Sequence, residues 1–104
     1  MLFHVTATHL PEHCPLYNSE LQPAMAEAGK NTEALAKDLN IKVYFSATGA
    51  PDHVIYHLVE ADGLDPIRRW LAAVPLKQEF RITPVELIGA MLASVEQEWT
   101  QASR

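Results

Sequence analysis

Cysteine is nearly absent from this chain of 104 residues, in which Cys14 has no second cysteine to pair with. A disulfide within the chain is therefore excluded, and we expect a protein of a reducing compartment, the cytoplasm. No run of 18 apolar residues occurs, and the opening MLFHVTATH has neither a basic segment nor a long apolar one. We therefore expect no membrane-spanning helix, no membrane partner and no secretory signal.

Dense positive charge is also missing. The chain carries 8 Lys and Arg against 13 Asp and Glu, a net charge of -5, and its basic residues form no cluster. We expect no nucleic-acid partner, because phosphate backbones are bound by basic patches. The sequence also lacks a Gly-rich phosphate loop, a serine elbow and a catalytic carboxylate pair, which disfavours kinases, P-loop proteins and serine hydrolases.

The hydrophobic pattern predicts six elements in the order β-α-β-β-α-β, within one domain of residues 1–104. Four segments alternate polar and apolar residues, as half-buried strands do. They are 2–9, 41–48, 53–61 and 76–82. The segment GAPD, at 49–52, predicts a turn that joins the second and third strands as a hairpin, with Gly49 supplying an unusual φ.

Two amphipathic helices connect these strands. The first begins at Pro23, a residue suited to the first helical position, and ends where Asn40 takes a left-handed conformation. The second begins near Pro66, with Asp65 as its cap. Its buried stripe is expected to consist of Ile67, Trp70, Leu71 and Val74.

A third helix is predicted at the C-terminal end. The segment TPVE has the pattern of a capping box, with Thr83 at the cap and Glu86 at the third position. Apolar residues from Leu87 to Trp99 then recur at helical spacing. We expect this extension, residues 84–104, to pack on the body of the chain or on a partner.

This order of elements is the α+β, ferredoxin-like arrangement, an antiparallel sheet of order 4-1-3-2. Right-handed crossovers place the first two helices on one face and leave the other face open. Either alternating set of side chains in the third strand could face the helices, and we expect the set with Tyr56 and Leu58 to be the buried one. The open face is then expected to carry His4, Thr6, Tyr44, Ser46, His57, Glu79 and Arg81.

Three segments carry a resemblance to a known superfamily: MLFHVTAT, HVIYHLVEADGLDPIRRWL and FRITPV. Their order and the open polar face resemble the dimeric α+β-barrel superfamily, in which two ferredoxin-like protomers pack sheet to sheet. Its members include muconolactone isomerases, cofactor-free antibiotic-biosynthesis monooxygenases, haem-degrading monooxygenases and small stress-related proteins. The resemblance covers residues 1–83 and implies a homodimer.

For function, the resemblance implies a small organic ligand in a polar cavity on the open face, with cofactor-independent isomerase or monooxygenase chemistry. We expect His4 and His57 to be the catalytic imidazoles, which abstract or relay a proton. Arg81 and Tyr44 would orient a carboxylate or phenolate. The ligand-binding residues are expected to be Thr6, Tyr44, Ser46, Glu79 and Arg81.

Other interpretations of the same residues stay open. The chain is alternatively a non-catalytic ligand-binding or regulatory module that uses the same face. It is alternatively a haem or metal protein through His4 or His57, with Glu79 as a third metal ligand. Each imidazole is alternatively an ordinary strand histidine whose ring nitrogens are satisfied by its neighbours.

The segment HLPEHC holds His9, His13 and Cys14. A zinc site is disfavoured, because no second pair of Cys or His follows at the spacing of a zinc finger. His9 comes five residues after His4 and therefore points to the opposite face of the strand unless a bulge intervenes. We expect His13 and Cys14 to belong to an exposed loop, and we assign no metal and no cofactor to the chain.

Overall fold

The computed structural model describes residues 1–102. The helices and strands are β1 Leu2–Thr8, α1 Gln22–Asp38, β2 Lys42–Gly49, β3 Val54–Glu60, α2 Leu64–Ala72, β4 Glu79–Pro84 and α3 Ile88–Ala102. Two short 3₁₀ turns, Pro11–His13 and Ala50–Asp52, follow β1 and join β2 to β3. The chain is thus a small α+β fold with the predicted order of elements.

The four strands form one antiparallel sheet of order β2-β3-β1-β4, which is the predicted order counted from the other edge. Helices α1 and α2 cover one face of it. Trp70 of α2 donates its indole N–H to the Thr32 carbonyl of α1 at 3.3 Å, which ties the helices together. The core consists of Phe3, Val5, Ala36, Ile41, Val59, Ala61, Ile67, Trp70 and Leu71. This architecture is compatible with a ferredoxin-like fold.

Strand β1 shows why alternation predicted its faces correctly. Phe3, Val5 and Ala7 are buried, whereas His4 and Thr6 between them are only half-buried. Successive strand side chains point to opposite faces, so the apolar set lies under the helices. The end of α1 also matches the prediction, because the residue after its cap, Asn40, has φ 57°.

The capping box predicted at Thr83 does not form. Thr83 and Pro84 belong to β4 and pair with β1, and the next residue, Val85, donates its N–H to the Leu2 carbonyl at 2.9 Å. Pairing with the central strand satisfies backbone groups that a helix start would leave free. Helix α3 therefore begins only at Ile88.

Two turn assignments are corrected as well. Gly49 has φ -96°, and the positive φ of the hairpin turn falls on His53, with φ 53° and ψ 45°. Helix α2 is preceded by Gly63 and makes no side-chain cap hydrogen bond with any of residues 1–102. The carboxylate of Asp65 instead binds two arginines further along the same helix.

A β-bulge in β2 changes which residues face the helices. Val43 pairs with a buried valine of β3, but the next pair joins Phe45, not Tyr44, to Leu58. The extra residue exchanges the two faces for every later position of the strand. Phe45 therefore lies on the open face, and Ser46 lies on the helix-covered face.

Helix α3 extends away from the rest of the fold. Within the described chain, no residue of α3 is buried, and Ile88 and Leu92 are 70% and 44% exposed. The radius of gyration is 17.4 Å and the long axis 65 Å, whereas a compact domain of this length has a radius of gyration of about 13 Å.

Among helices in residues 1–102, none combines the length and apolarity that crossing a bilayer requires.

Candidate functional site

The face of the sheet opposite α1 and α2 is the open face. The strand pairings place two rows of residues across its middle. One row is Ala47, Tyr56, Thr6 and Arg81, and the other is Phe45, Leu58, His4 and Thr83. Because β1 and β3 are the inner strands, His4, Thr6, Tyr56 and Leu58 lie at the centre of this face.

His4 lies on β1, with Leu58 of β3 on one side and Thr83 of β4 on the other. Its half-buried imidazole lies beside two aromatic rings, with centroid distances of 6.5 Å to Phe45 and 6.1 Å to Tyr56. Its side chain therefore has the orientation expected from the sequence. An imidazole among aromatic rings on an open surface has access to a ligand laid on that surface.

Thr6 lies in the neighbouring row, between Tyr56 and Arg81. Together with His4, these residues form what we call the central patch: His4, Thr6, Tyr56 and Arg81. The patch offers an imidazole, two hydroxyls, an aromatic ring and a guanidinium. Such a set can hold a flat ligand by stacking and bind an anionic group through the guanidinium.

Tyr44 lies on the open face but outside the central patch. Its hydroxyl donates to the Glu60 carboxylate at 3.1 Å, and the Lys42 ammonium lies 4.7 Å from its ring centroid. Strands β2 and β4 are opposite edges of the sheet, roughly 14 Å apart at about 4.8 Å per strand. Within one protomer, Tyr44 and Arg81 therefore do not hold the same carboxylate, contrary to expectation.

Glu79 is also remote from His4. It pairs with Thr8, four positions along β1 from His4, which corresponds to roughly 13 Å at about 3.3 Å per residue. The expected third metal ligand is thus too far away to share an ion with His4.

His57 faces the helices, which corrects its predicted place beside His4. It pairs with buried Val5, and its ring centroid lies 4.9 Å from that of Trp70. Ser46, turned inward by the bulge, is hydrogen-bonded to His57 Nδ1 at 2.7 Å. Burial lowers the pKa of His57, and the nearby His4 lowers it further. The two imidazoles lie on opposite faces of the sheet and cannot bind one ion together.

Cys14 is buried, with 3% of its surface exposed, which corrects the prediction of an exposed loop. Its loop folds over the β2–β3 turn, so that ligand atoms of His9, Cys14 and His53 all lie within 4.8 Å of one another. The rings of His9 and His53 meet edge to face at 5.3 Å. We call His9, Cys14 and His53 the thiol–imidazole cluster.

Backbone hydrogen bonds hold the segments of this cluster together. The N–H of His9 donates to the His53 carbonyl at 3.2 Å, which joins the end of β1 to the hairpin turn. The N–H of Cys14 donates to the Pro11 carbonyl at 3.1 Å, and the Cys14 carbonyl accepts the Tyr17 N–H at 3.0 Å. The left-handed conformation of His53 costs a side-chain-bearing residue roughly 1–2 kcal/mol. Tertiary contacts thus hold His53 in a costly conformation.

The cluster contains buried ring nitrogens that have no hydrogen-bond partner within residues 1–102. Both ring nitrogens of His9 and Nδ1 of His53 are buried, and none has a hydrogen-bond partner among residues 1–102. Each such atom costs about 1–3 kcal/mol when left unpaired. Burial lowers the pKa of His9, and the imidazoles of His53 and His13 lower it further. Native folds rarely leave such atoms unpaired, so the cluster is a second candidate site.

Sequence reasoning missed three residues at these sites: Tyr56, Phe45 and His53. Tyr56 was expected to face the helices because β3 alternates equally well in either orientation. The hydrophobic pattern gives no sign of the one-residue bulge that places Phe45 on the open face. The sequence gives no sign that His53 belongs with His9 and Cys14, because it lies far from both along the chain and at no metal-ligand spacing from them. The histidine-rich turn that contacts the Cys14 loop is distant in sequence and adjacent only in the fold.

No protein-family model matches the sequence, and no curated protein matches it. The likeness to ferredoxin-like proteins is therefore one of architecture, namely an antiparallel sheet with two helices on one face. Proteins of many unrelated functions share that architecture, so it does not assign a reaction.

Proposed function

We propose that this chain forms a homodimer in which two open faces pack sheet to sheet and enclose a small organic ligand over the central patch. The observation that carries the proposal is the exposed aromatic surface of this face. Tyr44, Phe45 and Tyr56 are 48%, 43% and 36% exposed. Aromatic rings bury a large apolar area when covered, and three exposed rings on one face, two of them beside the half-buried His4, are typical of a surface that a partner covers.

The open face is smaller than a typical stable interface, so a second copy of the chain would contact α3 as well as this face. At about 4.8 Å between strands and about 3.3 Å per residue, the open face measures roughly 19 Å by 23 Å. Specific complexes commonly bury about 800 Å² per partner, more than this face offers in projection. The apolar residues of α3, including Ile88 and Leu92, can supply the remaining contact because the body of their own chain does not cover them.

The charges of the open face also allow it to pack against itself. Lys42 pairs with Glu60 near one edge of the sheet, and Glu79 and Arg81 lie on the opposite edge strand. A two-fold interface brings the same surface of both copies together, so a face of one sign would repel itself. With both signs present at both edges, cations of one protomer can meet carboxylates of the other.

The chemistry of the central patch favours an aromatic carboxylate as the ligand. The guanidinium of Arg81 can bind a carboxylate through two parallel hydrogen bonds, and the ring of Tyr56 offers a stacking surface. His4 lies in the adjacent row, where it can accept or relay a proton of the ligand.

Two forms of this proposal differ in whether the ligand reacts. The resemblance to cofactor-free isomerases and monooxygenases favours proton abstraction by His4. A ligand-binding or regulatory module would use the same patch without turnover. Turnover that His4→Asn abolishes while binding persists would identify the enzyme, and binding without turnover in the unmodified chain would identify the module.

Two phenylalanines of nearly equal exposure give a matched test of the dimer. Phe45 is 43% exposed on the open face, whereas Phe80 is 41% exposed on the other face of β4, opposite Ala7. Phe45→Lys should yield a species near the chain mass of 11.6 kDa in sedimentation equilibrium at micromolar concentration. Phe80→Lys should remain a dimer. A monomeric unmodified chain, or dissociation by the Phe80 change alone, would refute sheet-to-sheet packing.

Salicylate is a suitable first probe of the ligand class, because it combines an aromatic ring with a carboxylate. Arg81→Gln should weaken salicylate binding by about tenfold or more, the equivalent of about 1.4 kcal/mol. Arg68→Gln, which changes an exposed arginine of α2, should leave binding unchanged. Equilibrium dialysis measures both, and equal weakening in the two variants would contradict a site at the central patch.

A further inference from the structure

We propose that His9, Cys14 and His53 form a binding site for a divalent transition-metal ion, with Zn²⁺ as the ion that suits the donor set best. The site lies where the end of β1 meets the β2–β3 turn. It depends neither on the proposed dimer nor on the central patch. One thiolate and two imidazole nitrogens would hold the ion, and water would occupy the fourth position.

The geometry is close to that of a metal site. The ligand atoms of the three residues lie within 4.8 Å of one another. In zinc sites the nitrogen and sulfur ligands lie about 2.0–2.3 Å from the ion, which places tetrahedral ligands roughly 3.3–3.8 Å apart. Closing the cluster around an ion therefore takes side-chain movements on the order of 1 Å. The backbones are already joined by the hydrogen bond from His9 to His53.

The unpaired ring nitrogens give an independent indication of a ligand. Three nitrogens on His9 and His53 are buried and lack a hydrogen-bond partner within residues 1–102. A metal ion would bond one nitrogen on each ring. It would also account for the left-handed conformation of His53, which directs this side chain from the turn toward Cys14.

The donor types decide which ion fits. A thiolate with imidazoles suits Zn²⁺ and similar transition metals, whereas Ca²⁺ and Mg²⁺ require oxygen ligands. The Cys14 thiol loses its proton to solvent when the ion binds, and the sulfur–metal bond forms in its place. Affinity should therefore increase with pH, and one proton should be released from the thiol per ion bound.

A cleft beside the cluster gives solvent a route to it. His9 lines this cleft, of about 450 Å³, together with His13 and Glu79. His13 does not belong to the group of converging ligand atoms. We therefore expect water, not His13, to complete the coordination of the ion.

The test begins with the full chain, reduced and stripped of metal by a chelator. Titration with Zn²⁺ against a chromophoric chelator should give one ion per chain and a higher melting temperature. Titration with Co²⁺ should produce a thiolate-to-cobalt charge-transfer band, which histidine-only surface binding does not produce.

Four variants separate this site from other histidines. Cys14→Ser and His53→Asn each remove a ligand, and Asn tolerates the left-handed conformation at position 53. Each should lose more than the roughly 10–100-fold in affinity that changes around the ligands usually cost. His4→Asn and His13→Asn should bind Zn²⁺ as the unmodified chain does.

Several results would overturn the site. They are Zn²⁺ affinity unchanged in Cys14→Ser and His53→Asn, cobalt binding without the thiolate band, or loss of affinity in His4→Asn. The melting temperature of each metal-free variant shows whether it folds. Because the two ligand changes lie in different segments, one folded variant is enough to decide.

Discussion

The two faces of one sheet differ sharply in what covers them. Under α1 and α2, Val5 and Val59 are fully buried, whereas Phe45 and Tyr56 on the open face remain 43% and 36% exposed. Both sets are apolar or aromatic, so residue type does not explain the difference. Within residues 1–102, the helices cover one face only, and the other face exposes aromatic rings, a residue type enriched at protein interfaces.

This contrast separates the residues that stabilise a protomer from those that we propose assemble it. A change under the helices acts on the free energy of unfolding, because it removes burial within one chain. A change on the open face or on α3 should act mainly on association. Measuring both the free energy of unfolding and the dissociation constant of the dimer therefore distinguishes the two kinds of change.

The largest effect is expected in the core. Ile67→Ala should lower the free energy of unfolding by about 2–5 kcal/mol, because it leaves a cavity beside a fully buried side chain. Leu64→Ala on the same helix, where the side chain is 57% exposed, should cost no more than about 0.5 kcal/mol. Urea unfolding at one fixed protein concentration measures both. Equal losses would mean that α2 is not anchored by its buried stripe.

The second largest effect should follow removal of α3. Ending the chain after residue 86 leaves β4 intact, because this strand ends at Pro84. We expect dimer dissociation to become at least about tenfold easier, about 1.4 kcal/mol, while the circular dichroism of the sheet persists. Ile88→Asp should act in the same direction, because this side chain is 70% exposed in one chain. A truncated chain that stays fully dimeric would show that α3 has no part in assembly.

A smaller effect is expected from pH. Folding lowers the pKa of His57, so its imidazole binds a proton more readily in the unfolded chain, where its pKa is about 6.5. The free energy of unfolding should therefore decrease as pH falls through this region, and the decrease should be smaller in His57→Gln. His9, whose pKa is also lowered, still contributes to the pH dependence of the free energy of unfolding in this variant.

Urea unfolding of metal-free protein at about pH 7.5 and about pH 5.5 covers this window, above the range where carboxylates titrate. The neighbourhood of His57 includes Ser46 and Trp70, and Glu33 and Lys37 line the adjoining groove between α1 and β2. An unchanged pH dependence in His57→Gln would show that another group controls it.

The smallest effect is expected at the surface of α2. The Asp65 carboxylate lies 2.8 Å from Arg68 and 2.9 Å from Arg69, and all three side chains are exposed. Asp65→Asn should cost no more than about 1 kcal/mol, and less in high salt, because exposed ion pairs are weak and screened. Urea unfolding at two salt concentrations measures the difference. A loss as large as that of Ile67→Ala would invalidate the division between core and surface.

Sequence reasoning succeeded where one local pattern decides one structure. The faces of β1, three of the four residues expected in the buried stripe of α2, and the left-handed Asn40 follow from neighbouring residues alone. The fourth residue of that stripe, Val74, lies beyond the end of α2 and is only half-buried. Sequence reasoning failed where two local patterns compete, as at Thr83, whose capping signal is overridden by pairing with β1. Backbone pairing in a sheet gains hydrogen bonds from a distant strand, and local propensity contains no information about them.

In the candidate sites too, some features follow from local sequence patterns and others depend on contacts between distant segments. The sequence by itself determined the order of the elements, the side of β1 that His4 occupies and the richness in histidine of the first loop. Only the tertiary structure decided that a bulge turns Phe45 outward and Ser46 inward, that His57 lies against Trp70, and that Cys14 meets His53. The physical reason is that alternation is set by adjacent peptide units, whereas register and loop contacts are set by which distant surfaces pack together.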